Sequence, residues 1–177
     1  LGWTGGPTDV ALGYGESMLG TFNGHNETIK SLNLGGSYNF GPVKVLGELS
    51  QVRNARSDTN ATDRYNGVLA GVQIPVGIHQ IRASIARVQY KNGQGTGDAS
   101  VNKIALGYVH NLSKSTALYS TVSRISVGTG HNNPAIMGVT PLAVSSPVIM
   151  PQPAYSNAPG MQPRSALGAD FGVRMIF

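Results

Sequence analysis

Residues 168–177 read GADFGVRMIF, and from Phe177 backwards every second side chain is apolar: Met175, Val173, Phe171, Ala169 and Leu167 share its parity. The opposite parity carries Ile176, Arg174, Gly172, Asp170 and Gly168. Side chains of a β-strand alternate between faces, so this is a strand with one oily side and one side bearing charge. A strand of a soluble sandwich shows the same pattern. The remainder of the chain determines which solvent the oily side meets.

The 177 residues suffice for one domain or for part of a larger one. Charged residues make up only 12%, about half of the roughly 25% of an ordinary soluble domain. Yet the hydrophobic fraction is 40% and the mean hydropathy is near zero, so the apolar residues are spread thinly. No run of about 18 apolar residues occurs, which excludes a transmembrane helix but not a membrane barrel, whose strands are apolar on one side only. The net charge is +5, but the 13 basic residues are scattered singly along the chain, which argues against nucleic-acid binding. There is no cysteine, hence no disulfide framework and no thiolate metal site. The opening LGWTGG carries no signal-peptide pattern and reads as a chain joined midway.

With 24 glycines and no sustained helical period, the pattern is all-β. Strands are expected over 8–17, 28–40, 43–54, 62–75, 78–91, 100–111, 115–127 and 165–177. These are long for soluble strands and match the roughly 9 to 11 residues of a tilted membrane-spanning strand. The connections alternate. FGPV (40–43), PVG (75–77) and NLSKS (111–115) are tight turns, whereas 15–28, 54–63, 92–99 and 128–163 are longer and polar. Short turns at one end and long loops at the other mark a transmembrane antiparallel up-and-down β-barrel of the outer membrane, with the short turns periplasmic.

Aromatic girdles and inward charges follow from the same alternation. Tyr14 is expected near the upper rim of the outward face, and Tyr38, Phe40, Tyr108 and Phe177 at the lower interface. Lys44, Glu48, Arg82, Lys103, Asp170 and Arg174 fall on the opposite, lumen-facing parity. They are either pore-lining groups or wall residues that satisfy one another. Four bases against two acids in this set point to mild anion preference. Arg87 and Arg124 are exceptions, since their parity faces lipid; snorkelling to the rim or a subunit interface would accommodate them.

Segment 128–163 holds seven of the ten prolines and reads as a long extracellular loop. His25, His79, His110 and His131 show no metal-ligand spacing. GQGTG (93–97) lies between strands with no helix after it, so it is no phosphate cradle. Neither a G-x-S-x-G elbow nor a Ser, His and Asp grouping is present. The expectation is a protein that is not an enzyme, with no cofactor and no metal.

LGYVHNLSKSTALY (106–119) resembles a penultimate hairpin of the general-diffusion porins of β-proteobacteria, the Burkholderiales type, and GADFGVRMIF their final strand. LNLGGSYNFGPVKVLGEL (32–49) and TGGPTDVALGYG (4–15) are similar to earlier hairpin and strand segments of that family. The resemblance implies a Gram-negative outer-membrane protein whose eight strands here are half of a 16-stranded barrel, residues 1–177 being its C-terminal part. It also implies a homotrimer passing small hydrophilic solutes and ions, in contact with the lipid bilayer and lipopolysaccharide, and assembled by machinery that reads the C-terminal strand. The family's inward-folded constriction loop belongs to the other half. A small closed barrel serving as an adhesin or loop-presenting scaffold is the alternative. A soluble sandwich is disfavoured by strand length and by the sorting of the loops.

Overall fold

The computed structural model describes residues 1–22, 25–56, 60–95, 98–129 and 165–176. Phe177 and residues 130–164, which make up nearly all of the Pro-rich segment, lie outside them. Nine strands follow one another: β1 (Gly2–Gly5), β2 (Thr8–Phe22), β3 (His25–Asn39), β4 (Lys44–Arg56), β5 (Ala61–Val76), β6 (His79–Lys91), β7 (Ala99–Asn111), β8 (Thr116–Thr129) and β9 (Ser165–Met175). Each pairs antiparallel with the next, giving one sheet in sequence order. Among the described residues β1 and β9 are its free edges, so the sheet is open.

Eight of these strands coincide with the expected ones to within a few residues. The ninth, β1, was not anticipated: its four residues are too few to display alternation, and Gly5, Gly6 and Pro7 read as loop. It pairs with β2 through Trp3↔Val10 and Gly5↔Thr8. The expected loop 15–28 is also largely strand, since β2 and β3 remain paired from Thr8↔Tyr38 to Phe22↔His25 across a bulge at Met18/Gly20. Glu16 and Lys30 interrupt the apolar run on the outward parity, so alternation no longer marks a strand there, although the backbone ladder continues.

The turns show why the sheet is up-and-down. At one end Val76 pairs with His79, leaving a two-residue hairpin in which Gly77 has φ 62°. Glycine first in such a turn marks type II′, whose twist matches that of the flanking strands. Gly41, φ 93°, closes the β3–β4 turn, where Phe40 N donates to Val43 O at 2.9 Å. Between β7 and β8 the Ser113 hydroxyl accepts from the N–H of Ser115 and Thr116 at 3.1 and 3.0 Å. These form the tight-turn end; the strand ends at Arg56 and Ala61, Lys91 and Ala99, and Thr129 and Ser165 lie at the other.

Among the described residues no second layer covers this sheet. The buried apolar residues are small or few, including Ala61, Ala99, Ala117, Val101, Val109 and Val127. Cohesion comes mainly from the backbone ladders, which satisfy the N–H and C=O groups between neighbouring strands.

Candidate pore-lining face

Cross-strand partners lie on the same face, so register assigns every side chain. One row runs Lys44–Gln73–Arg82–Gly107–Thr121–Asp170 across β4 to β9. A second, nearer the loop end, runs Glu48–Leu69–Ala86–Lys103–Ile125. Arg174 lies opposite Ala117 on that same face. All six charges selected from sequence parity therefore share one face, although they come from four strands.

The polar face also carries residues that sequence reasoning passed over. Asp9, opposite Ser37, accepts from the Ser37 hydroxyl at 3.2 Å and bridges to Lys44 Nζ at 3.2 Å. The Arg82 Nε donates to Gln80 Oε1 at 2.6 Å, and Gln80 donates to Gln73 at 3.4 Å. Near the loop end Asp63, 5% exposed, accepts the Gly93 N–H at 2.9 Å. Asp9, Asp63 and Glu27, which shares the parity of Ser37 on β3, bring the acids on this face to five against the four selected bases. Parity alone would have found Asp9, since it alternates with Val10, Leu12 and Tyr14.

Small residues keep the face open. Tyr119 lies opposite Gly172, and a Cβ added there would strike the Tyr119 ring, so the ring rests on the glycine backbone. Arg82, Tyr119, Thr121 and Arg174 then surround a depression of about 160 Å³. Two guanidinium groups beside a phenol can attract and release an anion. Among the described residues no cluster of three metal-ligating groups occurs.

The other face is apolar, and among the described residues nothing covers it. Leu12, Leu34, Leu49, Val68, Ile85, Ile104, Val122 and Val173 are all exposed, as are Leu167 at 76% and Phe171 at 88%. Tyr14, Tyr38 and Tyr108 stand on this face, with Phe40 packed against Tyr38 at a ring separation of 4.5 Å. Trp3, unanticipated, joins them. His79 and His110, far apart in sequence, form a cross-strand pair with rings 4.5 Å apart, and His79 Nδ1 meets the Tyr108 hydroxyl at 2.7 Å.

Arg87 and Arg124 are on the apolar face, but their height is set along the strand. Counted from the tight-turn end, Arg87 stands eight residues from His79 and Arg124 eight from Thr116. Glu16 stands the same distance from Thr8, Lys30 from Tyr38 and Arg53 from Val45. Between each of these ends the outward positions carry no charge.

An up-and-down sheet with one charged and one greasy exposed face matches a known family over most of its length. The family model for Gram-negative porins matches residues 2–130. This chain belongs to the Gram-negative porin family. Outer membrane porin protein 32 of Delftia acidovorans is 32% identical over 124 residues, which are 70% of this porin chain and 34% of that relative. The solved anion-selective porin from Comamonas acidovorans is 31% identical with a TM-score of 0.64, covering 71% of this chain and 36% of that one. OmpT of Vibrio cholerae, solved in a trimer form, superposes with a TM-score of 0.62 at 14% identity and 72% coverage of this chain; that likeness concerns the fold alone. This porin chain spans about a third of the length of the first two relatives.

Proposed function

We propose that the chain is part of an outer-membrane porin barrel that passes small hydrophilic solutes and ions by passive diffusion. The observation that carries this reading is the sorting of side chains. Large apolar groups stand exposed on one face while Lys44, Glu48, Arg82, Lys103, Asp170 and Arg174 share the other. A single-layer sheet can keep such a face exposed only where lipid is the solvent, because an apolar expanse of this size would drive association in water.

On this reading the polar face lines water and the aromatic residues mark the interfaces, Tyr38, Phe40 and Tyr108 below and Tyr14 above. Eight residues of strand span roughly 26 Å along the chain axis, and about 20 Å of height at the usual tilt, comparable to the roughly 25 Å apolar band of such barrels. That places Arg87 and Arg124 at the upper rim, alongside Glu16, Lys30 and Arg53. The open edges of β1 and β9 would leave backbone groups unpaired in hydrocarbon, so closure by further strands is part of the proposal. Residues 1–177 then form the C-terminal part of a 16-stranded barrel with the segment 128–163 as its long extracellular loop. Trimeric assembly, and recognition of the terminal strand by the assembly machinery, belong to the same reading. No observation among the described residues favours the loop-presenting scaffold.

Mild anion preference is included. Lys44 is paired with Asp9, and buried Asp63 is turned to the Gly93 backbone. Arg82, Lys103 and Arg174 remain against Glu27, Glu48 and Asp170. Arg82 and Arg174 line one depression that no acid lines, and a locally positive stretch of a confined lumen concentrates anions. The solved relative titled an anion-selective porin supports the sign. The test is single-channel recording of the full-length protein in a planar bilayer under a salt gradient. Open steps with an anion-selective reversal potential are expected. Absence of conductance overturns the pore, and a cation-selective potential overturns the sign.

A further inference from the structure

Along the chain the four histidines show no ligand spacing, but register sets two of them side by side. His79 opens β6 and His110 stands beside the last residue of β7, each directly opposite the other on the apolar face at the tight-turn end. Opposed residues of antiparallel strands hold their Cβ atoms about 4.5–5.5 Å apart, and here the two rings themselves lie 4.5 Å apart at 55°. Imidazoles this close can share one ion, each through one nitrogen at roughly 2.0–2.1 Å.

The surroundings suit a ligand pair. The Tyr108 hydroxyl meets His79 Nδ1 at 2.7 Å, and its ring stacks on that imidazole at 5.6 Å. With the proton on Nδ1 and donated to the Tyr108 oxygen, Nε2 presents its lone pair; a second group fixes the tautomer of a ligating histidine in this way. The flanking positions on the same face are apolar, Val76 opposite His79, Leu118 opposite His110 and Ile81 opposite Tyr108. They offer no carboxylate, so calcium and magnesium, which take oxygen ligands, are poorly served. Imidazole nitrogen suits copper(II), nickel(II) and zinc(II).

The pair also sits where the fold has no covalent link. β6 and β7 are joined through the loop end, whereas at the tight-turn end β6 continues into β5 and β7 into β8. We propose that His79 and His110 form a two-histidine chelate for a late first-row divalent metal ion, with Tyr108 positioning His79 and water completing the coordination. The ion fastens the β5–β6 hairpin to the β7–β8 hairpin. This site stands on cross-strand geometry and goes beyond the pore reading.

Tag-free full-length protein in detergent micelles is stripped with a chelator and titrated with copper(II), with binding followed by calorimetry and coordination by electron paramagnetic resonance. The wild-type protein should bind one more ion per protomer than H79Q/H110Q, and the difference spectrum should carry coupling to two imidazole nitrogens. H79Q and H110Q should each remove that ion, and the double variant should bind no more weakly than either, because a chelate is lost with its first ligand. Y108F should keep the two-nitrogen spectrum and weaken affinity about tenfold or more. H25Q should leave the site intact, zinc(II) should compete for it, and conductance of every variant should match wild type. Equal stoichiometry in wild type and H79Q/H110Q overturns the site. So do independent, additive losses in the two single variants, which would mark two separate one-histidine contacts, and so does displacement of copper by an equal concentration of calcium. Unchanged affinity in Y108F overturns the positioning role of Tyr108. Conductance without a two-nitrogen copper site overturns the chelate and leaves the pore standing; a two-nitrogen site in a protein that does not conduct supports the chelate and overturns the pore.

Discussion

At the scale of single residues, the same side chain has opposite consequences on the two faces. Arg124 stands on the apolar face eight residues above Thr116. An arginine facing lipid costs about 2–4 kcal/mol at the bilayer midplane and about 0–1 kcal/mol at the rim. Arg124→Leu in the full-length protein should therefore change stability by less than about 1 kcal/mol in reversible urea unfolding from lipid vesicles; a gain of 2 kcal/mol or more would place the residue mid-membrane. Arg82 belongs to the other face, beside Arg174 and Tyr119. Neutralising it as Arg82→Gln should move the reversal potential toward cations, and Asp170→Asn should move it toward anions. Unchanged potentials in both would remove these side chains from the permeation path.

At the scale of elements, the strands are held in register by their turns. Gly77 occupies a left-handed conformation that costs an L-residue roughly 1–2 kcal/mol. Gly77→Ala should accordingly lower stability by about 1 kcal/mol in the same unfolding measurement, with Gly77→Asn milder because asparagine tolerates that region better. Equal stability of all three would mean that the turn relaxes to another type. The neighbouring β7–β8 turn works through a side chain, where Ser113 receives two backbone N–H groups. Ser113→Ala should destabilise by about 1 kcal/mol at most, since these donors are exposed and water replaces the lost acceptor. The long end has a different logic, because β2 and β3 stay paired well past the last outward apolar residue. This extension was illegible in the sequence: alternation reports an apolar face, and on the outward parity Glu16 and Lys30 interrupt it.

At the scale of the whole molecule, a single layer has little core to stabilise it. Its described edges, β1 and β9, each present an unpaired ladder. The isolated 177-residue chain should therefore give no stable conductance after refolding in detergent, while the full-length protein conducts. Steady channels from the isolated chain would show that its edges close on each other into a small barrel. Assembly into the closed form also sets the electrostatics, since Asp9, Glu27, Glu48, Asp63 and Asp170 stand with the four selected bases on the polar face, where Asp9 is neutralised by Lys44 and Asp63 is buried.

The sequence by itself determined eight of the nine strands, the tight turns between them, and the face to which each of the six selected charges belongs. These are local properties: a period of two survives whatever the strand's neighbours are, and a glycine in a two-residue turn acts within its own hairpin. Only the tertiary structure decided which residues from different strands meet. It placed Asp9 on Lys44, His79 on His110, Tyr119 on Gly172, and Lys30, Arg53, Arg64 and Lys91 in one row. Their separation along the chain bears no simple relation to their separation in space, because register is set by long ladders of backbone hydrogen bonds in which a shift of one residue would turn every side chain to the other face.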